Sequence, residues 1–130
     1  MMSTHPHPTT DPNRPLILMV DDQPSNLHVL AAALKADYRL RVATDGPGGL
    51  ALARQEERPC LILLDVMMPG MSGIEVLREL RAAPDTADIP VILVTADASE
   101  QTQLDALELG ADDYLHKPVV APILLARVRN

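Results

Sequence analysis

Residues 61–70 constrain the fold more than any other stretch, because four aliphatic residues run directly into one carboxylate and a Pro-Gly turn follows. A short apolar run bounded by turn residues is typical of a strand buried on both faces of a parallel sheet. Asp65 ends the run. In open parallel α/β sheets, ligands bind beyond the carboxyl ends of the strands. Asp65 is therefore the first candidate site residue.

The composition fits one domain with an aliphatic core. The chain has 130 residues, with no Phe, no Trp and two Tyr. A chain of this length can bury a sizeable core. Eighteen acidic residues against eleven basic ones give a formal charge of −7. This balance argues against direct nucleic-acid binding, which needs a basic patch, and fits either a cation site or a surface that only aids solubility.

The compartment is predicted from what the sequence lacks. The single Cys60 excludes an internal disulfide, and we expect it to be a small buried hydrophobe within a strand. No apolar run approaches the roughly 18 residues that span a bilayer. Residues 1–13 are rich in Pro, Thr and His and lack the apolar segment of a signal peptide. These features predict a cytoplasmic protein without a membrane partner.

Apolar runs alternate with helical patterns along the chain. Strands are predicted at residues 16–20, 38–43, 60–65, 91–95 and 114–117. Helices are predicted at 24–36, 48–57, 73–83 and 121–129, with a further helix before the last strand that has Gly110 at its C-terminus. Such alternation predicts a single doubly wound parallel sheet with helices on both faces. The second strand contains Arg39 and Arg41, which suits a sheet edge.

Two of the predicted helices have specific local signals. Ser72 is a candidate N-cap for the third helix, and Glu75 stands three residues later as its capping-box partner. The fourth helix would begin with Ser99 or Asp97 as its cap. Its spacing predicts that Leu104 and Leu107 face the core.

Polar residues follow four of the predicted strands. Asp21 and Asp22 follow the first, Asp65 ends the third, Thr95 ends the fourth, and Lys117 ends the fifth. Each has an ordinary explanation alone: an Asp after a strand is usually a turn former, a Thr reflects strand propensity, and a lone Lys is usually solvated. Because parallel strands end at one sheet edge, we expect all five side chains to share one crevice.

The predicted crevice suits phosphoryl transfer. Three carboxylates at close quarters repel one another, and Mg²⁺ prefers one or two carboxylates together with water and phosphate oxygens. Asp65 could then act as a nucleophile and form an aspartyl phosphate. Lys117 would pair with a phosphoryl oxygen, and Thr95 would donate a hydroxyl hydrogen bond.

These residues resemble the receiver domain of two-component response regulators. The resemblance rests on Asp21-Asp22, on residues 63–73 (Leu-Leu-Asp-Val-Met-Met-Pro-Gly-Met-Ser-Gly), on Val94-Thr95-Ala96 and on residues 114–118 (Tyr-Leu-His-Lys-Pro). It covers residues 15–130, which we expect to form the receiver domain behind a disordered tail at residues 1–14. It implies a flavodoxin-like (βα)5 sheet with strand order 2-1-3-4-5.

The resemblance implies roles for the acidic residues. Asp65 resembles the phosphoacceptor, which takes a phosphoryl group from a sensor histidine kinase or a phosphotransfer protein. Asp21 and Asp22 resemble the acid pair that holds Mg²⁺ together with Asp65, and the backbone carbonyl of Met67 would be a further ligand.

The resemblance also implies a switch. Thr95 and Tyr114 match the switch pair, although Tyr114 alone would fit core packing equally well. Their movement would remodel the face formed by the fourth helix, the fifth strand and the fifth helix, through which a homodimer could form. Lys117-Pro118 matches a cis peptide motif. Met67 and Asp97 match positions that tune the lifetime of the phosphate.

Two other functions compete with the phosphorylated switch. One is an unphosphorylated pseudo-receiver used only for binding, but none of the acids, the Thr or the Lys is lost here. The other is a Mg²⁺-dependent phosphatase similar to haloacid dehalogenases, whose Asp-x-Asp motif would need an acid where this chain has Met67.

We also expect a truncated fifth helix and a missing output domain. Gly46-Pro47-Gly48-Gly49 departs from the family pattern at the start of the second helix.

Overall fold

The computed structural model describes residues 13–96 and 99–129, in which five strands alternate with five helices. The strands are β1 (Leu16–Val20), β2 (Arg39–Ala43), β3 (Leu61–Asp65), β4 (Val91–Thr95) and β5 (Asp113–His116). The helices are α1 (Pro24–Leu34), α2 (Gly46–Ala53), α3 (Gly73–Ala82), α4 (Glu100–Glu108) and α5 (Ala121–Arg129). The predicted tail, residues 1–14, lies outside the described residues except for its last two.

The strands form one parallel sheet in the order β2-β1-β3-β4-β5. This confirms the predicted fold class and the edge position of β2. The register pairs Val20 with Leu64 and Thr95 with His116. The carboxyl ends of neighbouring strands therefore lie level at one edge of the sheet.

Aliphatic side chains fill the space on both faces of the sheet. Every residue of β1, β3 and β4 is buried, as expected for central strands between two layers of helices. One cluster joins the sheet to α1 and α5, and the other joins it to α2, α3 and α4. Within the described residues, no helix has the length and apolar character needed to cross a bilayer.

Helix α3 begins with the predicted capping box. The Ser72 hydroxyl accepts a hydrogen bond from the Glu75 amide at 3.3 Å, and the Ser72 amide donates to the Glu75 carboxylate at 3.3 Å. These bonds satisfy two backbone donors that the first turn of a helix leaves unpaired. They fix the point after Asp65 at which the chain turns back and begins α3, which packs on the sheet.

The prediction that Leu104 and Leu107 face the core is wrong, because their side chains are 47% and 60% exposed. The inward row is instead Ala106 of α4 and Leu109, which directly follows the helix, and both pack in the core cluster. Both rows have the same three-residue spacing. Periodicity alone could not decide which row packs on the sheet.

Two further local predictions are wrong. Cys60 precedes β3 and is exposed, because the strand begins one residue later, at Leu61. Helix α2 begins at Gly46 and ends at Ala53, rather than spanning residues 48–57. It starts early because the Asp45 side chain accepts a hydrogen bond from the Gly48 amide at 2.6 Å and caps the first turn.

Candidate functional site

The polar residues that follow the strands lie at the carboxyl edge of the sheet. Asp21 and Asp22 directly follow β1, Asp65 is the last residue of β3, Thr95 is the last residue of β4, and Lys117 directly follows β5. The aliphatic strands fix these positions, since the register aligns their ends.

Lys117 bridges two of the carboxylates. Its Nζ lies 3.0 Å from Asp21 Oδ2 and 3.1 Å from Asp65 Oδ1. The Lys117 side chain is 14% exposed, and those of Asp21 and Asp65 are 2% and 1% exposed. The Lys117-Pro118 peptide bond is cis, as the sequence motif implied. Burial strengthens such an ion pair, because water does not screen it.

Asp21, Asp22 and Asp65 form an acidic cluster that could hold a metal ion. One carboxylate oxygen from each residue lies within 4.8 Å of the others. Asp21 Oδ1 accepts from the Gln23 amide at 2.9 Å, and Asp65 Oδ1 accepts from the Met67 amide at 3.3 Å. These backbone bonds hold two of the carboxylates in place.

Two oxygens of the acidic cluster have no hydrogen-bond partner among the described residues. Asp22 Oδ1 and Asp65 Oδ2 are buried and accept no hydrogen bond from any group that the structure describes. A buried polar atom without a partner is costly, and such an atom often marks a missing ion or a reactive group. Three carboxylates beside one ammonium also leave an excess of negative charge. Hard oxygen donors with this charge fit a divalent cation such as Mg²⁺.

The pKa values reflect this crowding. Burial raises the pKa of the Asp65 carboxyl to about 6; the hydrogen bond from Lys117 opposes the rise, and the charge of Asp21 adds to it. Burial alone would lower the pKa of the Lys117 ammonium, but its hydrogen bonds to Asp21 and Asp65 outweigh burial and raise it. Lys117 therefore stays charged beside a carboxylate that is costly to ionise.

The remaining predicted site residues have different settings. Thr95 is fully buried, and its carbonyl accepts from the Lys117 amide at 2.8 Å. Tyr114 is half-buried on β5, and its side chain packs against the core cluster on the α2–α4 face. The Met67 side chain is 62% exposed. Asp97 lies outside the described residues.

Gly73 is a site residue whose role the sequence did not predict. A Cβ atom there would lie 2.1 Å from the carbonyl oxygen of Asp65, which is far inside any real contact distance. The Gly73 amide also donates to the Val66 carbonyl at 3.0 Å. Helix α3 therefore starts directly against the backbone of Asp65. The signal in the sequence was the place of this glycine right after Ser72, at the end of the motif at residues 63–73.

Two cavities lie at opposite edges of the sheet. A small cleft of about 100 Å³ borders the acidic cluster and is lined by Asp21, Lys117 and Val29 among others. A larger cavity of about 610 Å³ lies at the amino ends of the strands, where Cys60 and Tyr38 line it. The larger cavity contains none of the residues that converge on Asp65, whereas the smaller cleft is lined by Asp21 and Lys117 but not by Asp65 itself.

Comparison with known proteins gives a consistent family. Residues 17–129 match the family described as response regulator receiver domain. The response regulator PleD of Caulobacter vibrioides is 47% identical over 115 residues, which are 88% of this chain and 25% of PleD. The protein PilH of Pseudomonas aeruginosa is 41% identical over 113 residues, which are 86% of this chain and 93% of PilH.

The solved structures agree with the sequence comparison. A response regulator receiver protein from Pseudomonas putida superposes with a TM-score of 0.84 at 30% identity, covering 92% of this chain and 98% of that protein. The chain thus spans nearly all of some relatives, whereas it spans only a quarter of the length of PleD.

Proposed function

The chain belongs to the response regulator receiver domain family, whose members are signalling modules, and from this premise we propose that it accepts a phosphoryl group on Asp65 with Mg²⁺ bound beside it. The donor would be a phosphohistidine on a sensor histidine kinase or a phosphotransfer protein. The observation that carries the proposal is the Asp65 carboxylate, which is buried beside Asp21, Asp22 and Lys117 and has one oxygen without a described partner.

Asp65 Oδ2 is the oxygen best suited to attack phosphorus. Oδ1 already accepts bonds from Lys117 and from the Met67 amide, whereas Oδ2 accepts none from the described residues. In the transfer, an Asp65 oxygen forms a bond to phosphorus while the bond from phosphorus to the donor histidine nitrogen breaks. The histidine leaves with the electron pair of that bond. Little covalent chemistry is asked of the domain beyond this nucleophile, so positioning and charge dominate.

The surrounding residues would neutralise charge. Asp21, Asp22, Asp65 and the backbone carbonyl of Met67 would hold Mg²⁺, which supplies positive charge to the phosphoryl oxygens when bound. Lys117 lies about equally far from Asp21 and Asp65. Its ammonium can therefore move to a phosphoryl oxygen without leaving the cluster. Thr95, at the end of the adjacent strand, would donate its hydroxyl to the same group.

Phosphorylation would change the surface through Thr95 and Tyr114. Thr95 ends β4, and Tyr114 lies on the neighbouring strand β5, paired with Leu93. We propose that Thr95 turns toward the phosphoryl group and that the Tyr114 ring follows it inward. The affected face is α4-β5-α5, where Leu107 and Ile123 are exposed. A homodimer through this face is part of the proposal.

Several finer features complete the proposal. The side chains of Met67 and Asp97 would tune the lifetime of the phosphate. The net charge of −7 supports action through proteins rather than through direct contact with nucleic acid. The absence of a second cysteine supports a reducing, cytoplasmic setting.

Incubation with acetyl phosphate tests the function. In the presence of Mg²⁺, intact-protein mass spectrometry should show one added phosphoryl group on the wild type and none on Asp65→Asn. Asp88→Asn is the matched control, because Asp88 is an exposed acid in the loop before β4. A wild type that stays unmodified would favour a pseudo-receiver that only binds. Equal modification of wild type and Asp65→Asn would contradict the assignment of Asp65.

A further inference from the structure

We infer that His116 is a positioning residue for the Tyr114 ring and sets how readily the proposed switch moves. This inference rests on the proposed function, because it concerns the same Thr95 and Tyr114 pair. The site described above gives His116 no role, because His116 is neither a member of the acidic cluster nor the ion-pair partner of Asp65.

The contact between the two rings is the first observation. Tyr114 and His116 are two residues apart on β5, so their side chains leave the sheet on the same face. Their ring centroids lie 5.1 Å apart with an interplanar angle of 72°. This is an edge-to-face arrangement within the distance range of a favourable aromatic pair.

The place of His116 in the sheet is the second observation. The parallel register pairs Thr95 with His116, and it pairs Leu93 with Tyr114. Along β5, His116 therefore lies at the level of Thr95, and Tyr114 lies two residues before it. A Tyr114 ring that moves toward Thr95 must change its contact with the imidazole.

The burial of the two rings gives the direction of the effect. Tyr114 is half-buried against the core cluster, whereas His116 is exposed on an edge strand. The proposed activated position of the ring lies further inward, so the contact made by the half-buried ring belongs to its resting position. Losing this contact should favour the activated position by roughly two- to tenfold, the range expected for one aromatic pair.

Fluorine NMR can follow the switch and its trigger in one spectrum. The chain has two tyrosines, and Tyr38 packs on the opposite face of the sheet from Tyr114. In a Tyr38→Phe background, 3-fluorotyrosine labels Tyr114 alone. Titration with beryllium fluoride and Mg²⁺ then gives two signals, bound beryllofluoride and the Tyr114 ring.

Two substitutions separate the ring contact from other effects. His116→Leu removes the aromatic ring and keeps a side chain of similar size, and His116→Phe keeps a ring. Both replace an exposed side chain, so the core is unchanged. We expect His116→Leu to move the resting Tyr114 signal toward its activated position and to lower the beryllofluoride needed for half of the full shift by two- to tenfold. His116→Phe should follow the wild type at the same pH.

The outcomes distinguish the inference from the proposed function. If wild type binds beryllofluoride and His116→Leu behaves as wild type, the role of His116 is overturned and the phosphoacceptor function stands. The role is also overturned if His116→Phe changes the Tyr114 signal as much as His116→Leu does. A wild type with no bound beryllofluoride signal would overturn the phosphoacceptor function, and the role of His116 with it.

Discussion

Asp65→Asn should stabilise the protein in the absence of metal at neutral pH. The substitution replaces a buried carboxylate with a neutral amide of nearly the same size. The carboxylate lies beside Asp21 and Asp22 and has an oxygen that no described group satisfies. Its removal relieves repulsion within the cluster. The same substitution removes the proposed phosphoacceptor, as expected where residues needed for chemistry lower the stability of the folded state.

The pKa of Asp65 sets the size and sign of this effect. A rise from 3.8 to about 6 on folding corresponds to about 3 kcal/mol at 25 °C. The folded state holds this proton more tightly than the unfolded state. The associated stability is therefore fully present below pH 3.8 and is lost as the pH rises to about 6. The pKa of about 6 already includes the opposing hydrogen bond from Lys117, so that bond is not subtracted again. The gain expected for Asp65→Asn at pH 7.5 is therefore about 3 kcal/mol.

Urea unfolding followed by circular dichroism measures the change, since the chain has no Trp for fluorescence. In EDTA at pH 7.5, Asp65→Asn should unfold at higher urea than wild type, and near pH 3.5 the difference should disappear. Mg²⁺ at ten times its Kd should stabilise wild type by about 1.4 kcal/mol and the variant by less. Asp88→Asn should match wild type throughout. A destabilised Asp65→Asn at pH 7.5, or a difference independent of pH, would refute the reasoning.

Three substitutions test the structure that holds the site. Gly73→Ala would put a Cβ atom 2.1 Å from the Asp65 carbonyl oxygen. It should cost about 1–3 kcal/mol of unfolding free energy and weaken Mg²⁺ binding. An unchanged Mg²⁺ affinity by calorimetry would contradict the close packing. Ser72→Ala removes the capping box and should cost about 1 kcal/mol in urea unfolding; an unchanged midpoint would show that the cap does not hold α3. Arg81→Met removes hydrogen bonds to the carbonyls of Gly110 and Ile89. It should cost about 2–3 kcal/mol of unfolding free energy in urea. A variant as stable as wild type would argue against this link from α3 to the segments before β4 and β5.

The fold could be predicted because its signals are local and repeated. Each central strand is an aliphatic run that either ends in a polar residue, as β3 and β4 do, or is directly followed by one, as β1 is. Parallel strands bring such ends to one edge whatever the details of the helices. The proximity of Asp21, Asp65 and Lys117 follows from this geometry.

What the sequence could not settle depends on packing between elements. Leu104 and Leu107 have the same spacing as Ala106 and Leu109, so only contact with the sheet distinguishes the two rows. Because β3 begins at Leu61, one residue later than predicted, Cys60 lies outside the strand and is exposed. The role of Gly73 depends on how closely α3 approaches the backbone, and no side chain reports that distance.

The most direct test of the central claim is to locate the phosphoryl group. After phosphorylation with acetyl phosphate and Mg²⁺, reduction with borohydride converts a phosphorylated aspartate to homoserine, which peptide mass spectrometry can place. Homoserine should appear at residue 65 alone, and only when Mg²⁺ is present. Homoserine at Asp21 or Asp22, or none anywhere after phosphorylation, would contradict the account of Asp65 as phosphoacceptor.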